Sequence, residues 1–228
     1  MSGDARQELT WDEGVPVSTR FDDPYYSRAD GLAESRFVFL GGNDLPARWA
    51  GGCDFHIAEL GFGTGLNLCA ALVEWRRAGI EGHLHFTSFE RFPLSADEIN
   101  RALSVWPEIN HERHEILTLY DPRGGVFDLK GATLELITGD ARETVPGWGG
   151  RADAWFLDGF APSRNPELWE PALIQSVAEH AAPGCTFATY SAAGAVRRAL
   201  QAAGLDVTRS PGFGTKREML IAIKPPQP

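Results

Sequence analysis

Apolar positions along this chain follow two alternating rhythms. Short, largely apolar runs at 55–60, 84–89, 133–137, 154–157 and 185–190 have the length and content of buried strands. Between them, apolar residues three and four apart predict helices over 66–78, 95–103, about 167–181 and 193–203. Ser95 stands as an N-cap with Glu98 three residues on, which is a capping box. Pro183-Gly184 and Gly204 are placed to end the last two helices, and strands at 206–209 and 218–223 follow. Alternating strands and helices predict an α/β fold with a mostly parallel sheet covered on both faces. Residues 105–131, rich in Pro, Gly, His and charge, read as the least regular region.

The first fifty residues break this rhythm. Leu9-Thr-Trp11 and Val15-Pro-Val17 flank Asp12-Glu13-Gly14 as in a short hairpin. Ser27 or Asp30 then suits the cap of a helix running through Glu34 toward Leu40 and ended by Gly41-Gly42. The expected organisation is a small N-terminal extension, 1–50, packed on a core domain, 51–228.

Length and composition narrow the class. A chain of 228 residues suits one domain with an appendage. No apolar run approaches the roughly 20 residues that span a bilayer, and Met1 to Glu8 lacks the apolar segment of a secretory leader. A cytoplasmic protein without a membrane partner is the expectation. Cys53, Cys69 and Cys185 are odd in number and widely spaced, so they read as reduced core thiols rather than disulfides or metal ligands. A net charge of −10 argues against general electrostatic binding of nucleic acid but leaves room for a local basic surface.

Candidate chemistry gathers at strand ends. The run 55–60 passes into Gly61-Phe-Gly-Thr-Gly65 and then a helix, so backbone N–H groups are open to close approach by a ligand. Such a turn alone equally serves nicotinamide, flavin and other nucleotide cofactors. Glu90 ends the next strand, about thirty residues after the first glycine, where a carboxylate can accept from ribose hydroxyls. Asp140, after the third strand, is placed to meet an adenine amino group. Each acid alone would also serve as a helix cap or a solvated loop residue. With Glu59 before the glycines, the set suits S-adenosylmethionine, which carries positive charge at sulfur and at its α-amino group. Asp158 emerges from the fourth strand ahead of Gly159-Phe-Ala-Pro162 and Asn165-Pro166. A carboxylate there can orient a primary amine and take its proton, and Phe160 offers an aromatic face.

Longer motifs carry a family resemblance. Phe21-Asp-Asp-Pro-Tyr-Tyr-Ser27, Phe37-Val-Phe-Leu-Gly-Gly-Asn43, Glu59 to Asn67, Ser88 to Leu94, Ala154 to Pro162 with Asn165-Pro166 and Trp169, and Gly212 to Met219 together resemble the methyltransferase module of the MnmC family of bacterial tRNA wobble-uridine modification enzymes. The likeness runs over roughly residues 9 to 223. It implies a Rossmann-like S-adenosylmethionine-dependent methyltransferase fold with an antiparallel last strand. The implied reaction is methylation of 5-aminomethyl-(2-thio)uridine in tRNA by in-line displacement, with S-adenosylhomocysteine as product and no metal. By motif, Glu59, Gly61, Phe62, Gly63, Thr64, Gly65 and Asn67 would hold the methionine part. Glu90 with Arg91 would take the ribose side, Asp140 and Ala141 the adenine. Asp158, Gly159 and Phe160 would face the methyl group and the amine, with Tyr25, Tyr26, Asn43, Pro162 and Asn165 on the substrate side.

Two features depart from the family pattern. Bifunctional members continue into a flavin-dependent oxidoreductase, whereas this sequence shows no second glycine fingerprint, so a separate oxidoreductase would supply the aminomethyl precursor, unless the chain is a fragment. The acidic balance is unusual for a tRNA enzyme, and Arg20, Arg28, Arg36, Arg48, Arg91, Arg164, Arg197, Arg198, Lys216 and Arg217 are the candidates for a basic rim. A methyltransferase for a small or protein amine, and a non-catalytic module binding S-adenosylmethionine or tRNA, are the alternative readings.

Overall fold

A computed structural model describes residues 8–45 and 47–226. Residues 1–7, on which the leader reading rests, and the last two residues of the proline-rich end lie outside the described residues. Strands β1 (Leu9–Asp12) and β2 (Val15–Ser18) form the expected hairpin, and β3 (Asp23–Pro24) pairs with β2. Helix α1 (Gly31–Ser35) starts at Asp30, whose side chain accepts from the Ala33 N–H at 2.9 Å. It runs straight into a π-helical turn, Arg36–Gly41.

The core then alternates as β4 (Phe55–Leu60), α2 (Leu66–Ala78), β5 (Leu84–Glu90), α3 (Ala96–Leu103), α4 (Asn110–Leu119), β6 (Gly125–Leu129), β7 (Ala132–Thr138) and α5 (Ala141–Thr144). It continues as β8 (Ala152–Leu157), α6 (Pro171–Glu179), β9 (Ala181–Thr189), α7 (Gly194–Ala202), β10 (Asp206–Pro211) and β11 (Glu218–Ile223). The eight strands lie in the order β10-β11-β9-β8-β4-β5-β7-β6. Strands β7, β5, β4, β8 and β9 are parallel, and β11 runs antiparallel to both its neighbours. From β4 the chain winds one way through β5 and β7 and the other way through β8 and β9. That reversal opens a crevice beyond the carboxyl ends of β4 and β8.

Two apolar layers hold the sheet. Neighbouring residues go to opposite layers, as the period-two pleat requires: Phe156 packs with Ile57, Phe86 and the N-terminal Phe39 and Trp49, while Trp155 packs with Leu60, Phe89 and Phe187. The N-terminal segment is therefore part of the main core.

Four expectations are corrected. Residues 105–131 hold α4 and the antiparallel edge strand β6. Helix α4 escaped the apolar pattern because it buries Glu112 and Arg113, with Arg76 donating to Glu112 at 2.9 Å. The helix expected over 167–181 is divided into a 3-10 turn, Pro166–Trp169, and α6, with Glu170 extended between them. Pro171 enforces that break, since the residue before proline is pushed out of the helical region. Pro183-Gly184 lies inside β9, where the ladder to β8 shifts register and so tolerates a residue without an N–H. Cys69 and Cys185 are buried thiols, but Cys53 is exposed ahead of β4.

Candidate functional site

The glycine turn is shaped by backbone demands. Gly61, Gly63 and Gly65 have φ of 82°, 52° and 74°, a region that strains residues with a side chain. A Cβ on Gly63 would sit 3.2 Å from the Tyr25 ring, and one on Gly61 would sit 3.4 Å from the Gly159 backbone. The turn thus packs against both the N-terminal segment and the strand end that carries Asp158. Gly61, Phe62, Gly63, Thr64 and Asn67 line a cavity of about 580 Å³ together with Glu90, Arg91, Asp140, Ala141, Asp158, Gly159, Phe160, Asn165, Tyr25 and Tyr26.

Three carboxylates stand at the ends of adjacent strands, Glu59 fully buried and Glu90 and Asp158 half-buried at the cavity wall. Asn67, in the first turn of α2, organises two of them: its amide donates to Glu59 and to Asp158, both at 2.8 Å, and accepts from the Ser35 hydroxyl. Ser88 donates to the other Glu59 oxygen at 2.6 Å. Burial drives the Glu59 carboxyl well above its ordinary range. Burial likewise raises Glu90, against the N–H groups of Gly63 and Phe92 that donate to it at 2.9 and 2.7 Å. Asp158 accepts from the Gly159 N–H at 2.8 Å as well as from Asn67, yet burial pushes it up to about 7. Each group favours a positive partner that would restore its ionised form.

Other positions differ from their expected roles. Glu59 is fully buried and does not line the cavity; it anchors Asn67 from beneath. Gly65 caps α2 behind the turn. Asp140 lines the cavity, but its carboxylate is occupied by Arg142 and by Arg91 at 2.9 Å, and the hydrogen bonds from Arg142 hold it below its usual range. Asn43 lies away from the cavity lining: it is fully buried, donates to the Phe39 carbonyl at 2.9 Å and accepts from Thr186 at 2.6 Å. Pro162 lies outside the lining, unlike Asn165.

The side of the cavity beside Asp158 is an aromatic chamber. Phe160 stacks on Phe21 at 4.7 Å and meets the Tyr25 edge at 5.0 Å. Its loop is fastened by Ala161 N–H to Asp23 at 2.8 Å, Trp169 Nε1–H to the Phe160 carbonyl at 2.9 Å, and the Tyr190 hydroxyl to the Gly159 carbonyl at 2.7 Å. Phe21 and Asp23 lie within a motif that had drawn attention only to its tyrosines. Glu34, Ser35 and Tyr190 carried no signal, because a charged helix residue, a serine and a strand-end tyrosine are ordinary anywhere.

The basic rim is mostly neutralised. Arg28, Arg91 and Lys216 reach the cavity, but they pair with Asp12, with Asp140 and Glu167, and with Glu34. Arg164 pairs with Asp22. Arg36 faces Glu74 and Glu108, and Arg48 reaches Thr186 and the Asp153 carbonyl toward the amino ends of the strands, so neither belongs to a rim.

Fold and site define a class: a doubly wound α/β protein whose crevice, with a glycine turn and the half-buried acids Glu90 and Asp158, suits a cationic nucleotide-type ligand. The family model described as S-adenosyl-L-methionine-dependent methyltransferase matches residues 104–225, and the chain belongs to that family. It is 46% identical to the tRNA 5-methylaminomethyl-2-thiouridine biosynthesis bifunctional protein MnmC of Caulobacter sp. (strain K31), over 99% of this chain and 39% of that protein. It is 47% identical to the protein of the same name from Chromobacterium violaceum, over 93% of this chain and 34% of that one. The chain thus spans between a third and two fifths of the length of these curated relatives. The crystal structure of MNMC2 from Aquifex aeolicus superposes with a TM-score of 0.79 at 26% identity, covering all of this chain and 74% of the other. Among the described residues no group of His, Cys, Asp and Glu is placed to hold a metal ion, and no helix is long and apolar enough to cross a membrane.

Proposed function

We propose that this chain N-methylates the 5-aminomethyl group of (2-thio)uridine at the tRNA wobble position, giving 5-methylaminomethyl-(2-thio)uridine. The observation that carries the reading is the place of Asp158, half-buried at the cavity wall beside an aromatic chamber and one hydrogen bond from Asn67, where desolvation pushes its carboxyl up to about 7. The names of the relatives supply the substrate. S-adenosylmethionine, when bound, supplies an electrophilic methyl group on a positively charged sulfur. Glu90 and the glycine turn are the groups to hold its ribose and methionine parts, and Asn67 positions Asp158. Asp158 accepts a proton from the acceptor ammonium, leaving a neutral amine whose lone pair is free. Phe160, Phe21 and Tyr25 hold a base by its faces and keep water out, so most of the rate comes from alignment.

In this reading residues 1–50 shape the acceptor side of a methyltransferase domain at 51–228, the protein works in the cytoplasm, and a flavin-dependent oxidoreductase produces its aminomethyl substrate. The test is to incubate the purified chain with S-adenosylmethionine and tRNA from a strain lacking the activity, then weigh the wobble nucleoside. One added methyl on the aminomethyluridine is expected. Methyl transfer to free amines or protein, with none to tRNA, would overturn the substrate.

A further inference from the structure

Lys216 lies in the loop between β10 and β11, with its ammonium 2.8 Å from the Glu34 carboxylate and 4.1 Å from the centre of the Tyr190 ring. These are the two partners a primary ammonium seeks in a protein, a carboxylate and an aromatic face. All three residues line the cavity. Glu34 is the inner partner, its side chain 12% exposed against 42% for Lys216. Tyr190 connects this place to the reacting end, because its hydroxyl holds the carbonyl of Gly159, the residue after Asp158. Glu34 raises and Lys216 lowers the proton affinity of Asp158, as near neighbours of opposite charge must.

The ion pair is not needed to shape the loop. Backbone bonds close it, from Lys216 N–H to the Phe213 carbonyl at 3.0 Å and from Gly212 N–H to the Arg217 carbonyl at 3.2 Å. A half-exposed pair also adds little stability. Its evident effect is to neutralise a carboxylate that otherwise faces the cavity alone.

We propose that Glu34 and the face of Tyr190 form the receiving site for the primary ammonium of the methyl acceptor, and that Lys216 is an internal stand-in which the acceptor displaces. The proposal rests on the amine-acceptor reading above and names the residues that select for it. Glu34 is then a specificity-determining residue that favours a cationic acceptor over a hydroxyl one. Lys216 sets a threshold that a bare small amine does not pass, whereas an amine on a base held by the aromatic chamber does.

The test uses the chain saturated with S-adenosylhomocysteine and titrated calorimetrically with 5-(aminomethyl)uridine as the probe. Lys216→Met should bind the probe about tenfold more tightly than the parent, and Glu34→Gln at least tenfold more weakly. S-adenosylhomocysteine affinity should stay within twofold in both, showing that the variants are folded. Neither variant should change the binding of 5-(hydroxymethyl)uridine by more than twofold. Unchanged or absent probe binding in Lys216→Met, or parent-like binding in Glu34→Gln, overturns the proposal. If the variants follow the pattern but the parent leaves tRNA unmethylated, the receiving site stands and the tRNA assignment fails. If the parent methylates tRNA and the variants do not follow it, the stand-in is wrong and the assignment stands.

Discussion

Asp158 concentrates the chemistry of this site, because it joins a shifted pKa to a defined position in the cavity. Asp158→Ala should lower kcat for methyl transfer by at least about a hundredfold, the usual scale for losing a proton acceptor, and keep S-adenosylhomocysteine binding. Near-normal turnover in that variant would remove Asp158 from the mechanism. Its titration gives a second test. Raising the pH through about 7 converts Asp158 to the carboxylate, which attracts the sulfonium of S-adenosylmethionine but has no such charge to attract in S-adenosylhomocysteine. The affinity ratio of the two ligands should therefore climb between pH 6 and 8 in the parent by severalfold, and stay flat in Asp158→Asn. At this scale the sequence revealed the acids and the glycines, since charge at strand ends and glycine in turns are visible in one dimension. It hid the division of labour. Glu59 and Asp140 look alike as candidates, yet one is sealed beneath Asn67 and the other is taken by arginines.

At the scale of elements, local rules were legible where the backbone's own needs decide the outcome. Ser95 and Glu98 do form the capping box, with Ser95 N–H donating to Glu98 at 2.7 Å. Ser95→Ala should cost about 1 kcal/mol and lower Tm by a few degrees, with methyl transfer unchanged. A larger loss of activity would mean that α3 does more than pack. Elements decided by tertiary partners were not legible. Helix α4 turns Glu112 and Arg113 inward because Arg76 and the Asn100 carbonyl meet them, and β6 is held by its ladder to β7 despite exposing Val126. Helix α6 was mistaken at both ends: Pro171, passed over inside the expected helix, breaks its entry, and Pro183, read as a terminator, lies within a strand.

The whole molecule carries a net charge of −10 and spends most of its cavity cations on internal acids. Few phosphates can then be neutralised, so tRNA binding should depend only mildly on salt, with a log–log slope smaller in magnitude than about 3. A slope of 6 or more would show that the cations outside these pairs gather into a basic surface. The buried acids also set a sign for stability. Their folded pKa values lie above the unfolded ones, so the stabilisation they give when protonated is present at low pH and lost as pH rises, for Asp158 through about 7. Tm of the unliganded chain should fall between pH 5.5 and 8, and saturating S-adenosylmethionine should oppose that fall. An unliganded Tm that rises over this range would contradict the burial of these groups in solution.

The attachment of the N-terminal segment has a consequence for descent and engineering. Phe21 and Asp23 clasp the loop that follows Asp158, and Tyr25 and Glu34 complete the same wall, while the family model begins only at residue 104. The proposed acceptor wall thus joins residues outside the matched stretch to Phe160 and Tyr190 within it. Under the proposed function, a chimera carrying another family member's first forty residues should shift acceptor preference toward that member's, and, because Tyr25 packs on Gly63 and Ser35 bonds Asn67, should alter affinity for the methyl donor as well.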